Sequence, residues 1–181
     1  MTKILAFTGM PFSGKSEAVK IAKELGIPVV RMGDMVWEET KRQGKKLNDK
    51  NVGEVANSMR EKYGKNVWAK RTVERIKSFG EMNCIVIDGI RNSEEIDTFK
   101  KELGKDFVLI AVAASTQVRQ KRAIARGRED DSKNLDDIKE RDRRELGWGL
   151  GTVIASADIL VPNEGTIDEF KKNMKKLLDK L

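Results

Sequence analysis

Eight consecutive residues, Gly9-Met10-Pro11-Phe12-Ser13-Gly14-Lys15-Ser16, constrain this chain more than any other stretch, because they fill every fixed position of the phosphate-binding signature GxxxxGK[ST]. Their context gives the match its weight. The run Lys3-Ile4-Leu5-Ala6-Phe7-Thr8 before them is apolar without polar alternation, as in a parallel strand covered on both faces. After them Ala18, Val19, Ile21, Ala22 and Leu25 recur at helical spacing, and Gly26 stops the helix. A polyphosphate needs several backbone N–H donors converging on it, and a glycine-rich loop opening a helix supplies both the donors and the positive helix end. Pro11 has no N–H, so Met10, Phe12, Ser13, Gly14, Lys15 and Ser16 are expected to donate, with Gly9 opening the curl. Lys15 can reach the β- and γ-phosphates, and the Ser16 hydroxyl can take one position on Mg²⁺.

The strand and helix pattern then repeats. Ile27 to Met32 reads as a second strand leading through Gly33-Asp34 into a helix. From about residue 35 to 78 the chain is strongly polar, with apolar residues only at helical spacing (Val52, Val55, Met59; Val67, Trp68, Val73, Ile76), which predicts a weakly cored helical insertion punctuated by Gly44, Gly53 and Gly64. Asn83 to Asp88 is the third strand. Its terminal Asp88 stands where a carboxylate beside the phosphate loop can orient Mg²⁺, since ligands in open α/β sheets bind at strand carboxyl ends. Asn92 and Glu95 form a capping-box-like pair, and Asp106 to Ala113 is the fourth strand.

The helix from Thr116 to Arg128 carries Arg119, Lys121, Arg122, Arg126 and Arg128, and a second basic cluster follows at Arg141, Arg143 and Arg144. Two such clusters flanking one short acidic loop predict a lid whose guanidinium forks close on transferring phosphate while excluding water. Gly147, Gly149 and Gly151 around Trp148 mark its far hinge. Ala157 to Asn163 is a fifth strand, and a Thr166/Glu169 capping box opens a terminal helix with Ile167, Phe170, Met174, Leu177 and Leu178 as its buried stripe. Five strands alternating with helices predict a parallel sheet with helices on both faces.

Composition narrows the chemistry. The chain has 181 residues, enough for one domain with a sizeable core, and 36 basic against 29 acidic residues, a net +7 that suits phosphorylated ligands and would suit RNA as well. The absence of histidine excludes Ser-His-Asp catalysis and HExxH metalloproteases. The single cysteine, Cys84, excludes an intrachain disulfide, and with it a reducing cytoplasm is expected and Cys84 itself is expected in the core. A strand starting near residue 3, and no apolar run approaching 18 residues, predict neither a signal peptide nor a membrane span.

Gly9 to Ser16, Gly26 to Met35 and Asp88-Gly89-Ile90-Arg91 resemble, in order and spacing, the corresponding stretches of adenylate kinases and related nucleoside monophosphate kinases. The later part, with Arg122 and Arg126 four apart and Ala157-Asp158 running into Asn163-Glu164-Gly165, is more similar to dephospho-coenzyme A kinases. Over its whole length the chain resembles the archaeal adenylate-kinase-related family of small P-loop kinases.

That resemblance implies a P-loop NTPase fold of the nucleoside monophosphate kinase type, three-layer α/β/α around a five-stranded parallel sheet. It implies a core of residues 1–34, 79–125 and 145–181, an acceptor-binding insertion near 35–78 and a lid near 126–144. The implied activity is transfer of the γ-phosphoryl of ATP, with Mg²⁺, to a nucleoside monophosphate, AMP first. Lys15, Arg91, Arg126 and Arg141 would be catalytic, Arg122 and Asn163 would join the loop around the nucleotide, and Ser16 and Asp88 would hold the metal. Adenylate kinases carry an acceptor-gripping arginine three residues after the Gly-Asp aspartate, where this chain has Trp37, so Arg31, Arg60 or Arg71 must substitute or the acceptor differs. Asp34, with Arg31, Arg60 and Arg91, is therefore the diagnostic acceptor residue, since a hydroxyl acceptor would want a carboxylate base and a phosphate acceptor would want arginines. The alternatives are a dephospho-coenzyme A-like hydroxyl acceptor, or a regulatory or RNA-associated ATPase; small nucleotides are the expected partners, and neither membrane nor nucleic acid is expected.

Overall fold

The computed structural model describes residues 2–104, 106–126 and 135–181. Five strands form one parallel sheet in the order β2-β3-β1-β4-β5. β1 (Lys3–Thr8) is central, flanked by β3 (Cys84–Asp88) and β4 (Phe107–Ala113), with β2 (Val29–Arg31) and β5 (Ile159–Pro162) at the edges. The unbroken apolar run of β1 follows from that position. Ile4 and Ala6 join one core cluster and Leu5 and Phe7 join the other, because alternate side chains leave opposite faces and both faces are covered. Pro28 leads into one edge strand and Pro162 closes the other, where a missing N–H costs the ladder least.

One face is covered by α1 (Lys15–Glu24) and α9 (Ile167–Leu178), whose Ala18, Val19, Ile21, Ala22, Phe170, Met174 and Leu178 pack on Leu5, Phe7, Val86 and Val112. The other carries α2 (Met32–Arg42), α3 (Asp49–Tyr63), α4 (Val67–Lys77) and α5 (Ser93–Leu103). After β4 come α6 (Thr116–Arg126), α7 (Leu135–Gly147) and α8 (Leu150–Ala155).

Several expectations need correction. Residues 35–78 are not weakly cored: Val55, Ala56, Met59, Val67, Trp68, Ala69, Val73 and Ile76 are all buried and merge with the sheet's own cluster. The polar count misled because three helices each show solvent one wide face while a narrow stripe does the packing. Trp68 is enclosed, and its indole N–H donates to Ala56 O at 3.3 Å. The second strand begins at Val29 and ends at Arg31, since Met32 already opens α2, and the fifth runs only from Ile159 to Pro162. Ile167, at the first position of α9, is half exposed, outside the helix's buried stripe. Cys84, at the start of β3, is half-buried, and burial pushes its thiol up from the ordinary value against the pull of Lys3.

Candidate active site

The parallel register fixes where the chemistry can occur. Phe7 pairs with Asp88 and Arg31 pairs with Asp88, so the carboxyl ends of β1, β3 and β2 finish at one level. The phosphate loop leaves from that level. Phe12 has φ 63, the one non-glycine residue with positive φ among those described, and Gly14, at φ 106, caps α1. Such left-handed steps turn successive N–H groups into a concavity that suits an anion. The loop is also closely enclosed. A Cβ on Gly9 would lie 2.5 Å from Val112 O, and one on Gly14 would collide with Asn163 Nδ2. The N–H of Ser13 is spent on Met10 O at 3.1 Å, so it is not among the open donors; its hydroxyl is buried and has no hydrogen-bond partner among the described residues.

Arg122 and Asn163 serve the loop from behind. Asn163 Nδ2 donates to Ser13 O at 2.8 Å; Arg122 donates to the same carbonyl at 3.3 Å and to Asn163 O and Oδ1 at 2.9 and 3.1 Å. A second brace is Arg119, buried on α6, which donates to Pro11 O at 3.1 Å and grips Asp142 of α7 in a two-pronged pair at 2.9 and 2.7 Å. Sequence reading saw Arg119 only as one basic residue of a cluster. Its i to i+23 partner depends on how α6 and α7 pack.

Asp88 Oδ1 accepts from Lys15 Nζ, joining the two halves of the phosphate site. Arg31 Nε lies 3.7 Å from Asp88 Oδ2, Arg31 Nη1 lies 3.8 Å from Asp34 Oδ1, and the guanidinium sits over the Trp37 ring at 5.8 Å. The Asp88 carboxylate and the exposed Ser16 hydroxyl are hard oxygen donors that fit a small divalent cation. Among the described residues no group of three or more acidic, histidine or cysteine side chains could hold a metal alone, so such an ion would draw its other ligands from phosphate and water.

The remaining arginines separate into two sets. Arg71 pairs with buried Glu39 at 2.8 Å and covers the Trp68 ring, which commits it to the α2–α4 packing rather than to the strand ends. Arg91 donates through Nε to Glu145 of α7 at 2.7 Å and through Nη1 to Gly89 O at 3.0 Å. Burial works against its charge, but Glu145, with Glu95 and Asp88, outweighs that and holds the guanidinium above its ordinary value. Burial likewise opposes the Glu145 charge, yet Arg91, Arg141 and Arg144 keep its carboxyl below the usual range. Arg60 of α3 lies 3.6 Å from Glu95 and 4.9 Å over the Trp148 ring, which Arg91 and Arg144 also approach, at 5.5 and 5.8 Å. Arg141 of α7 stacks on Phe12 of the phosphate loop at 5.4 Å. The Arg126 side chain and residues 127–134, the first half of the expected lid, lie outside the described residues.

A phosphate loop braced by two arginines, a strand-end aspartate on its lysine and a roof of arginine-bearing helices define a kinase-like P-loop nucleotide-binding protein. The model of the AAA domain family matches residues 8–139. The chain belongs to the UPF0200 family: it is 43% identical over 176 residues to the UPF0200 protein of Methanosarcina barkeri, covering 97% of this chain and 94% of that one. It is 46% identical over 180 residues to the UPF0200/UPF0201 protein of Archaeoglobus fulgidus, of whose length it spans only 56%. Among solved structures it is similar to TT1252 from Thermus thermophilus (TM-score 0.66, 20% identity, 99% and 98% of the two chains) and to shikimate kinase from Aquifex aeolicus (TM-score 0.53, 21% identity, 97% and 96%), a likeness of fold.

Proposed function

We propose that the protein is an ATP-dependent, Mg²⁺-requiring cytoplasmic kinase that transfers the γ-phosphoryl group to a nucleoside monophosphate, AMP first. The observation that carries the reading is Arg31. At the position where adenylate kinases have an acceptor-gripping arginine stands Trp37, and Arg31 lies over its ring, half exposed and between Asp88 and Asp34. A cation therefore stands beside the carboxyl ends of β2 and β3, next to the lysine of the phosphate loop. In this reading α2 to α4 bind the acceptor, Arg31, Arg60 and Arg91 receive its phosphate, and the segment near 126–144 closes with Arg126 and Arg141 over the transferring group. Lys15 lies against the β- and γ-phosphates, and the loop N–H groups hold the polyphosphate in line. Mg²⁺, held through Ser16 and Asp88, would neutralise charge on the phosphate oxygens.

The test measures acceptor-dependent ADP formation with AMP, CMP, UMP, GMP and dephospho-coenzyme A in turn. Arg91→Ala is expected to weaken use of a monophosphate by roughly 2 to 4 kcal/mol, as for a charge-assisted contact left unpaired, while Asp34→Asn is mild. A lethal Asp34→Asn with a tolerated Arg91→Ala makes the acceptor an alcohol. ATP turnover without acceptor that RNA stimulates favours the regulatory ATPase, a reading the AAA description keeps open and Gly89, in place of a glutamate after Asp88, disfavours.

A further inference from the structure

Glu95 is 0% exposed in the first turn of α5. One part of its role is local: its N–H donates to Asn92 Oδ1 at 2.9 Å and its Oε2 accepts the N–H of Arg91 at 2.8 Å. A cap does not require burial. Glu169 performs the same service for α9 while exposed. The other oxygen of Glu95 distinguishes it, because among the described residues Oε1 makes no hydrogen bond and faces Arg60 Nη2 at 3.6 Å. Arg60 is itself nearly enclosed, its side chain 11% exposed, and its Nε and Nη1 are buried without hydrogen-bond partners among the described residues. Burial pushes Glu95 up and Arg60 down from their ordinary values, with the Arg91 charge pressing Arg60 further and Glu95 opposing.

A buried, under-bonded ion pair is a poor stabiliser, since desolvation can exceed the Coulombic gain. Its geometry serves something else. Arg60 and Arg91 both lie over Trp148, whose indole N–H donates to Asn57 Oδ1 of α3 at 2.8 Å and so ties the ring to the helix bearing Arg60. Three guanidiniums, those of Arg60, Arg91 and Arg144, are thus gathered on one aromatic ring; Arg60 has two unspent donors, and a single carboxylate, Glu95, reaches the Arg60 side chain and the Arg91 backbone.

We infer that Glu95 is a positioning residue for the acceptor, holding Arg60, with its unspent donors, beside Arg91 so that the two guanidiniums receive one phosphate monoester group. This rests on the reading that the acceptor carries a phosphate. Glu95→Gln keeps an oxygen for the Arg91 N–H and replaces the charged oxygen facing Arg60 with a neutral NH₂ group. It is expected to raise the acceptor KM about tenfold or more, while kcat and the KM for ATP stay close to the parent values. Glu95→Asp, which retains the charge, recovers part of the loss. In an Arg60→Ala background Glu95→Gln adds nothing further, because the two act through one contact. An unchanged acceptor KM in Glu95→Gln overturns the inference, as does a multiplied effect in the double variant.

Calorimetric titration of AMP, with the phosphate loop filled by a non-hydrolysable ATP analogue, separates this inference from the proposed activity. Binding of AMP that Glu95→Gln weakens, without turnover in the parent, supports the clamp and sinks the kinase reading. If the parent does not bind AMP, the clamp is refuted.

Discussion

Gly14 offers the sharpest test of how the phosphate loop is built. Its φ is 106, which costs an L-residue roughly 1 to 3 kcal/mol, and an added Cβ would be driven into Asn163 Nδ2. That amide is buried and donates to Ser13 O at 2.8 Å, so pushing it aside removes about 1 kcal/mol of hydrogen bond and disturbs the acceptor of Arg122 as well. Gly14→Ala is therefore expected to lose about 2 to 4 kcal/mol of stability, a drop of about 5 to 15 °C in melting temperature for a chain of this length. It should also weaken ATP binding, because the distorted loop carries the N–H donors. Gly53→Ala is the control: Gly53 lies inside α3 with nothing of the described residues within 4 Å of an added Cβ, and the change should stabilise by up to about 1 kcal/mol. Scanning calorimetry and ATP titration on both variants decide the matter. A Gly14→Ala protein with the parent melting temperature and ATP affinity would refute the enclosure of the loop and the bracing assigned to Asn163.

Lys15→Ala should reduce turnover by about 3 to 4 kcal/mol of barrier, by analogy with other lost charge-stabilising donors, while the fold survives because the loop N–H groups remain; unimpaired turnover would remove the loop from the mechanism. Glu39, enclosed by Arg42, Arg71 and Gln43, has its carboxyl lowered from 4.5 to about 2, chiefly by the Arg42 hydrogen bonds against the cost of burial. Because the folded value lies below the unfolded one, its contribution is full above about pH 5 and is lost as pH falls towards 2. That contribution is about 2 kcal/mol, discounted because the Arg42 side of the cage is in water. Urea midpoints at pH 7 and pH 3 for the parent and Glu39→Gln check this, and an identical acid sensitivity in the two proteins would count against the cage.

The amino-acid sequence determined the features whose physics is local or periodic. The glycines, Lys15 and Ser16 declare a phosphate loop because few other residues permit that curl and charge. The unbroken apolar runs of β1, β3 and β4 declare a sheet covered on both faces, and Asn92 and Thr166 declare helix starts because a cap is satisfied within three residues. Asp88 could be located because it ends a strand beside the loop.

Only the tertiary structure decided which charges meet. Arg71 was as good an acceptor candidate as Arg31 until α2 and α4 packed and gave it to Glu39. Arg119 found Asp142, Arg91 found Glu145, and Arg60 found Glu95 and Trp148, each across a tertiary contact that no short spacing encodes. In a chain with so many charges each arginine has several carboxylates it could reach. The partner is selected by which of them loses its water when the helices close, and that is a property of the packed molecule.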